Sequence, residues 1–204
     1  KKRAEVERLK RETSWREKTR RRPRHDFEAA LRRPGVSVIA EVKRSSPSTG
    51  PLGADPRGLR DAYVRADADA LSILTDPHFG MNAEDLESLA EGCDLPILRK
   101  DFILSEEQIV EADLIGADAI LLIATFLDRD ELARLGGFAT ARGLAVLYEV
   151  HDGAEISRLP VAARNVGINN RSLADARYRT DLDRAAAMCQ SLPAGVIAVA
   201  ESGY

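Results

Sequence analysis

With 204 residues, 44% of them hydrophobic and 31% charged, the chain can fill one sizeable core and has little left for a second. A formal net charge of -3, from 30 Lys and Arg against 33 Asp and Glu, argues against a dedicated nucleic-acid binder. The longest apolar run, residues 119–124, falls far short of the roughly 18 residues a membrane span needs, and Cys93 and Cys189 lack the paired spacing of a zinc or redox motif. These features lead us to expect an unexported cytoplasmic protein with no membrane partner, no disulfide framework and no metal.

Charge is unevenly placed. Residues 1–25 hold twelve Lys or Arg and four Glu, whereas residues 26–204 hold 18 basic against 29 acidic side chains. We expect a basic N-terminal leader over residues 1–25, its charged face solvated, followed by one acidic domain over residues 26–204. The leader has no apolar stretch of the kind a signal peptide carries, and its four Glu argue against a transit peptide.

Short aliphatic or β-branched runs then follow at residues 36–42, 70–75, 95–98, 119–124, 144–150, 166–168 and 196–200. Helical start signals lie between them: Asn82, Ser105 with Gln108 as a capping box, Asp128 with Glu131, and Asp152 with Glu155. Strand starts spaced roughly 22 to 34 residues apart, with helical segments between, predict βαβ units and a parallel sheet. Such a pattern suits either a doubly wound open sheet or a (βα)8 barrel.

The polar residues at the strand ends distinguish the two. Side chains alternate along a strand, so Ile39, Glu41 and Lys43 share one face, and the charged pair sits where a core would otherwise continue. The third strand runs into Lys100, the fifth into Glu149, the sixth into Asn169 and Arg171, and the seventh into Glu201, Ser202 and Gly203. Acids and bases converging from several strands form the pocket that a closed parallel barrel places at its carboxyl-terminal mouth. The Ser, Pro and Gly residues after Lys43 suit a loop closing over a substrate, with Lys43 as a point charge and Ser46 or Ser48 as donors to a phosphate.

The segment Val38-Ile39-Ala40-Glu41-Val42-Lys43-Arg44-Ser45-Ser46-Pro47-Ser48 is the first of six strand-end motifs in chain order. It is followed by Leu71-Ser72-Ile73-Leu74-Thr75-Asp76, Pro96-Ile97-Leu98-Arg99-Lys100-Asp101-Phe102-Ile103 and Glu149-Val150-His151-Asp152. Val166-Gly167-Ile168-Asn169-Asn170-Arg171 and Ala200-Glu201-Ser202-Gly203 complete the set. In this order the motifs resemble the indole-3-glycerol phosphate synthase family through nearly the whole chain after residue 26. That resemblance implies a (βα)8 TIM barrel and a carboxy-lyase of tryptophan biosynthesis. Its substrate is 1-(2-carboxyphenylamino)-1-deoxyribulose 5-phosphate, whose pyrrole ring it closes with loss of carbon dioxide and water and with no cofactor.

Carried over residue by residue, the resemblance makes Lys100 the general acid and Glu149 an acid/base group. Glu41, Lys43, Asn169 and Glu201 fill the other catalytic positions. Ser46, Ser202 and Gly203 match substrate or phosphate contacts, while Phe102 and Arg171 flank the aromatic end. Phe79 is expected to touch the ring too, although Phe79-Gly80-Met81-Asn82 departs from the family's usual spacing. The leader corresponds to an extra helix packed across the barrel. His151 is expected to be an ordinary loop residue. The chain ends just after the seventh strand motif, so an eighth βα unit with half of the phosphate grip is missing, and we expect these residues to be part of a longer chain. A non-catalytic phosphate-ligand binder built on a shortened barrel is the alternative.

Overall fold

The computed structural model describes residues 2–12, 14–46, 50–171 and 182–203. Each apolar run forms a parallel strand: β1 Ile39–Val42, β2 Ala70–Leu74, β3 Ile97–Lys100, β4 Ala119–Ile123, β5 Ala145–Val150, β6 Asn165–Asn169 and β7 Ile197–Glu201. The seven strands pair in sequence order, with β1 and β7 at the two ends of the sheet. The first strand begins later than expected, because Val36 is 94% exposed and takes no part in the ladder.

Helices α1 Lys2–Arg11 and α2 Phe27–Leu31 precede β1. The crossovers carry α3 Pro56–Arg65, α4 Ala83–Ala90, α5 Glu106–Leu114, α6 Arg129–Ala141, the single turn α7 Gly153–Ile156, and α8 Leu182–Cys189. Asn82 with Asp85 and Asp128 with Glu131 form reciprocal capping boxes, each satisfying two otherwise orphaned backbone donors. Asp152 caps α7 through Glu155 N. Ser105 departs from expectation, since it makes no side-chain cap hydrogen bond. Its intended partner Gln108 is buried and turned inward, accepting from Leu104 N at 2.8 Å and donating to Phe102 O at 3.1 Å.

The sheet is curled. Lys100 Nζ on β3 lies 2.6 Å from Glu201 Oε2 on β7, although four strand spacings would separate those strands by about 19 Å in a flat sheet. Curling puts one face inside, where Phe27, Leu98, Leu121 and Leu147 pack with Ile39, Phe102 and Val199. The opposite face packs Val42, Leu71 and Ile73 on α4, and Ile120 and Leu122 on α5 and α6. Burial of both faces explains why β4 reads as an unbroken apolar run and β2 as one interrupted only by the buried Ser72.

Of the leader's arginines, Arg20 and Arg22 are not solvated as expected, whereas Arg3, Arg8, Arg11 and Arg21 are exposed. Arg20 and Arg22 reach Asp118 at 2.6 and 2.7 Å, Arg24 reaches Asp113 at 2.7 Å, and Asp118 also accepts from Ile97 N and His25 N, each at 3.0 Å. These contacts lie at the amino-terminal ends of β3 and β4, the face of a parallel barrel associated with stability. At the other end, Lys2 on α1 pairs with Asp101 and Asp76, just beyond β3 and β2, at 2.7 and 3.0 Å.

Candidate active site

Period-two alternation carries polar side chains inward at the strand ends. Leu98 and Leu147 point into the inner core, so Lys100 and Glu149, two residues on, face the same interior. Register completes the grouping: Glu149 is paired with Gly167, and Asn169 with Glu201.

Lys100 is the centre of the cluster. Its ammonium lies 2.6 Å from Glu201 Oε2 and 3.5 Å from Glu149 Oε2. Burial works against its charge, but Glu201, Glu149 and Glu41 together outweigh that cost and hold it above the usual lysine range. Glu149 is buried, and its Oε1 accepts from Asn169 Nδ2 at 3.0 Å. Asn169 is held in turn by Arg171, whose backbone N–H donates to Asn169 Oδ1 at 2.9 Å. Glu41 and Lys43 form an ion pair at the mouth of β1, each about one-third exposed.

Glu201 has the most altered carboxyl group of the site. Burial pushes it up to about 7; Lys100 opposes that rise and the neighbouring Glu149 adds to it. Near neutral pH the pocket therefore holds an ammonium and a carboxyl poised between its two forms, side by side.

Beyond Glu201 the backbone turns sharply. Ser202 and Gly203 both take positive φ, 64° and 96°, a conformation that costs a non-glycine residue about 1 to 3 kcal/mol and is kept where the surroundings enforce it. The fully buried Asn170 supplies that constraint, donating from Nδ2 to Ser202 O at 3.3 Å and accepting from Ala185 N at 3.0 Å.

Phe102 is half-buried and meets Phe126 edge to face, with ring centroids 5.5 Å apart at 74°. Phe79 is half-buried on the 3-10 turn Pro77–Phe79, one crossover away from the lysine. Ser45–Ser46 forms a two-residue antiparallel ladder with Gly50–Pro51. The side chain of Ser46, together with Ser48, lies outside the described residues. The structure thus joins Glu41 to Lys43, Lys100 to Glu149 and Glu201, and Asn169 to Glu149, by direct contacts.

The family model described as "Indole-3-glycerol phosphate synthase" matches residues 1–204. The chain belongs to that family. A relative of that name from Parafrankia sp. is 44% identical over 182 residues, covering 87% of this chain and 67% of its own length. One from Acetivibrio thermocellus is 42% identical over 197 residues, covering 93% and 75%. Another from Rhizorhabdus wittichii is 42% identical over 214 residues, covering 99% and 80%.

Sequence reasoning missed a second layer of side chains behind this pocket. His151 is buried against Glu149, with Nε2 3.2 Å from Glu149 Oε1. The period-two pattern held the signal, because His151 continues the inward face of Leu147 and Glu149. Asp101 was also overlooked. It accepts from Thr75 Oγ1 at 2.6 Å and Arg99 Nη2 at 3.2 Å, and burial is outweighed by Arg99 and Lys2, which keep its carboxyl below the usual range. Among the described residues no three His, Cys, Asp or Glu are grouped to hold a metal ion, and no helix is long and apolar enough to cross a membrane.

Proposed function

We propose that this chain converts 1-(2-carboxyphenylamino)-1-deoxyribulose 5-phosphate into indole-3-glycerol phosphate, carbon dioxide and water. The observation that carries the reading is the Lys100 ammonium set between Glu201 and Glu149 in a strand-end pocket. Ring closure needs a ketone made electrophilic by a proton. A fully protonated lysine in a pocket of low dielectric is suited to donate it as the new carbon–carbon bond forms. The bond from the ring to the carboxylate carbon then breaks, and its electron pair restores the aromatic ring as carbon dioxide departs. Loss of the remaining hydroxyl as water requires a proton delivered to oxygen and another removed beside the nitrogen; Glu149 and Glu201 are the groups placed for these transfers.

Lys43 and Arg171 are assigned to the substrate carboxylate, Phe102 and Phe79 to its aromatic ring, and Ser46, Ser202 and Gly203 to the phosphate. The positive φ values at Ser202 and Gly203 support the last of these, because such turns present successive backbone N–H groups to an anion. We take the setting to be cytoplasmic, with no nucleic-acid or membrane partner.

The test is the growth of indole fluorescence when the chain is mixed with substrate, run beside titration with a reduced, unreactive analogue. Turnover is expected. Binding of the analogue with no product from the substrate would replace the enzyme with a binder.

A further inference from the structure

We propose that Phe126 is a specificity-determining residue of this site, forming with Phe102 an aromatic corner at the pocket mouth against which the aryl ring of the substrate packs. The inference rests on the activity proposed above and deepens it, by giving that ring a wall between the strands that carry Lys100 and Glu149.

Phe126 is 50% exposed, and exposure alone would mean little, because single apolar side chains are common on protein surfaces. Its position carries the argument. It stands three residues past the end of β4, whose last residue, Ile123, is in register with Glu149 on β5. The next residue, Ala124, donates its N–H to Glu149 O at 2.9 Å. On its other side β4 is flanked by β3, which runs through Lys100 into Phe102. Phe126 thus rises from the strand between the lysine and the glutamate, and its ring meets that of Phe102 edge to face with 5.5 Å between centroids. Phe102 continues the inward row of Leu98 and Lys100 and packs on the inner core, so the pair borders the pocket that holds the ammonium.

Both rings spring from fixed backbone. The Phe126 N–H donates to Ile123 O at 3.1 Å. Before it, Thr125 Oγ1 donates to Glu155 Oε1 at 2.7 Å; after it, Leu127 is buried and its carbonyl accepts from Arg158 Nη1 at 3.3 Å. The Phe102 N–H donates to Asp101 Oδ1 at 2.7 Å, and its carbonyl accepts from Gln108 Nε2 at 3.1 Å. A corner held in this way gives up little conformational freedom when a third ring joins it. Lys100, Glu149, Asn169 and Glu201 suit the polar groups of the substrate, whereas an aryl ring gains from apolar cover and from the edge-to-face geometry that aromatic pairs favour.

Two variants separate the ring from its bulk: Phe126→Leu keeps an apolar side chain without the ring, and Phe126→Tyr keeps the ring. Because the position is half exposed, each should melt within about 2 °C of the unmodified protein. Titration with the reduced analogue needs no turnover. Phe126→Leu should bind it at least about threefold more weakly, and Phe126→Tyr within about twofold of the unmodified protein. Affinity for a pentitol 5-phosphate, which lacks the aryl ring, should be the same in all three. In the turnover assay Phe126→Leu should raise KM by the same factor with kcat within about twofold, because the corner holds the ring alike in substrate and transition state. A smaller loss of analogue affinity in Phe126→Leu, an equal loss in Phe126→Tyr or toward the pentitol phosphate, or a fall in kcat at constant KM overturns the proposal. A chain that binds the analogue with this dependence but forms no product keeps the corner and loses only the enzyme reading. An active enzyme indifferent to Phe126→Leu does the reverse.

Discussion

Replacing Gly167 by alanine tests the site through a residue that carries no functional group. Gly167 sits in β6 between Glu149 on β5 and Val199 on β7, and its missing side chain leaves the space that the Glu201 carboxylate fills. A Cβ added there would overlap Glu201 Oε1 and stand 3.1 Å from its Cδ. The end of a free glutamate would move aside at little cost, but this one is held by Lys100 at 2.6 Å. It must therefore retreat on the order of 1 Å, and displacements of that size at a reacting centre cost about 100-fold in rate. Overpacking adds about 1 to 3 kcal/mol of destabilisation, or roughly 2 to 12 °C in Tm for a chain of this size. Indole-3-glycerol phosphate formation, followed by fluorescence, and a thermal melt measure the two effects. Wild-type turnover in Gly167→Ala would refute the reasoning, because it would mean that the Lys100–Glu201 contact does not matter to the chemistry.

The remaining predictions address charge. Lys100→Ala should lower turnover by orders of magnitude with modest effect on affinity for the reduced analogue, as removal of a proton donor does; equal losses in both would indicate a binding role. Because Glu201 is pushed up to about 7, the pocket gains a negative charge as pH rises through that value, so KM for the anionic substrate should climb there and Glu201→Gln should flatten the climb. The same shift fixes a stability sign: a carboxyl raised from 4.5 in the unfolded chain contributes stability below that value and loses it as pH rises through about 7. The Tm of the unmodified protein relative to Glu201→Gln should fall across that interval, and a difference that rises instead would contradict the assignment. Asp118→Ala should cost about 3 to 5 kcal/mol in denaturant unfolding, because it leaves Arg20 and Arg22 without their carboxylate and two backbone N–H groups without their acceptor. A loss below about 1 kcal/mol would show that the leader is not anchored there.

The barrel pattern was legible because burial on both faces leaves apolar runs, and the pocket because charged residues continue the inward alternation past them. Glu41, Lys100, Glu149, Asn169 and Glu201 could all be placed on one face by counting in twos. Contacts made across the sequence were not legible in that way. Nothing local distinguishes Arg20 and Arg22 from a solvated basic run, since their partner Asp118 lies more than 90 residues away. His151 was passed over because a search for metal spacing found none, although its place two residues after Glu149 put it in the same inward row. Ser105 and Gln108 show the opposite error: the spacing of a capping box was present, but burial directed Gln108 toward Leu104 and Phe102.

The central claim is that the pocket around Lys100 closes a ring and releases carbon dioxide in one reaction. The most direct measurement is the ratio of carbon dioxide released to indole-3-glycerol phosphate formed, in the unmodified chain and in Lys100→Ala. The unmodified chain should yield equal amounts of the two products, and the variant should lose both by orders of magnitude. Carbon dioxide without ring closure, or product formation undiminished by Lys100→Ala, would contradict that claim.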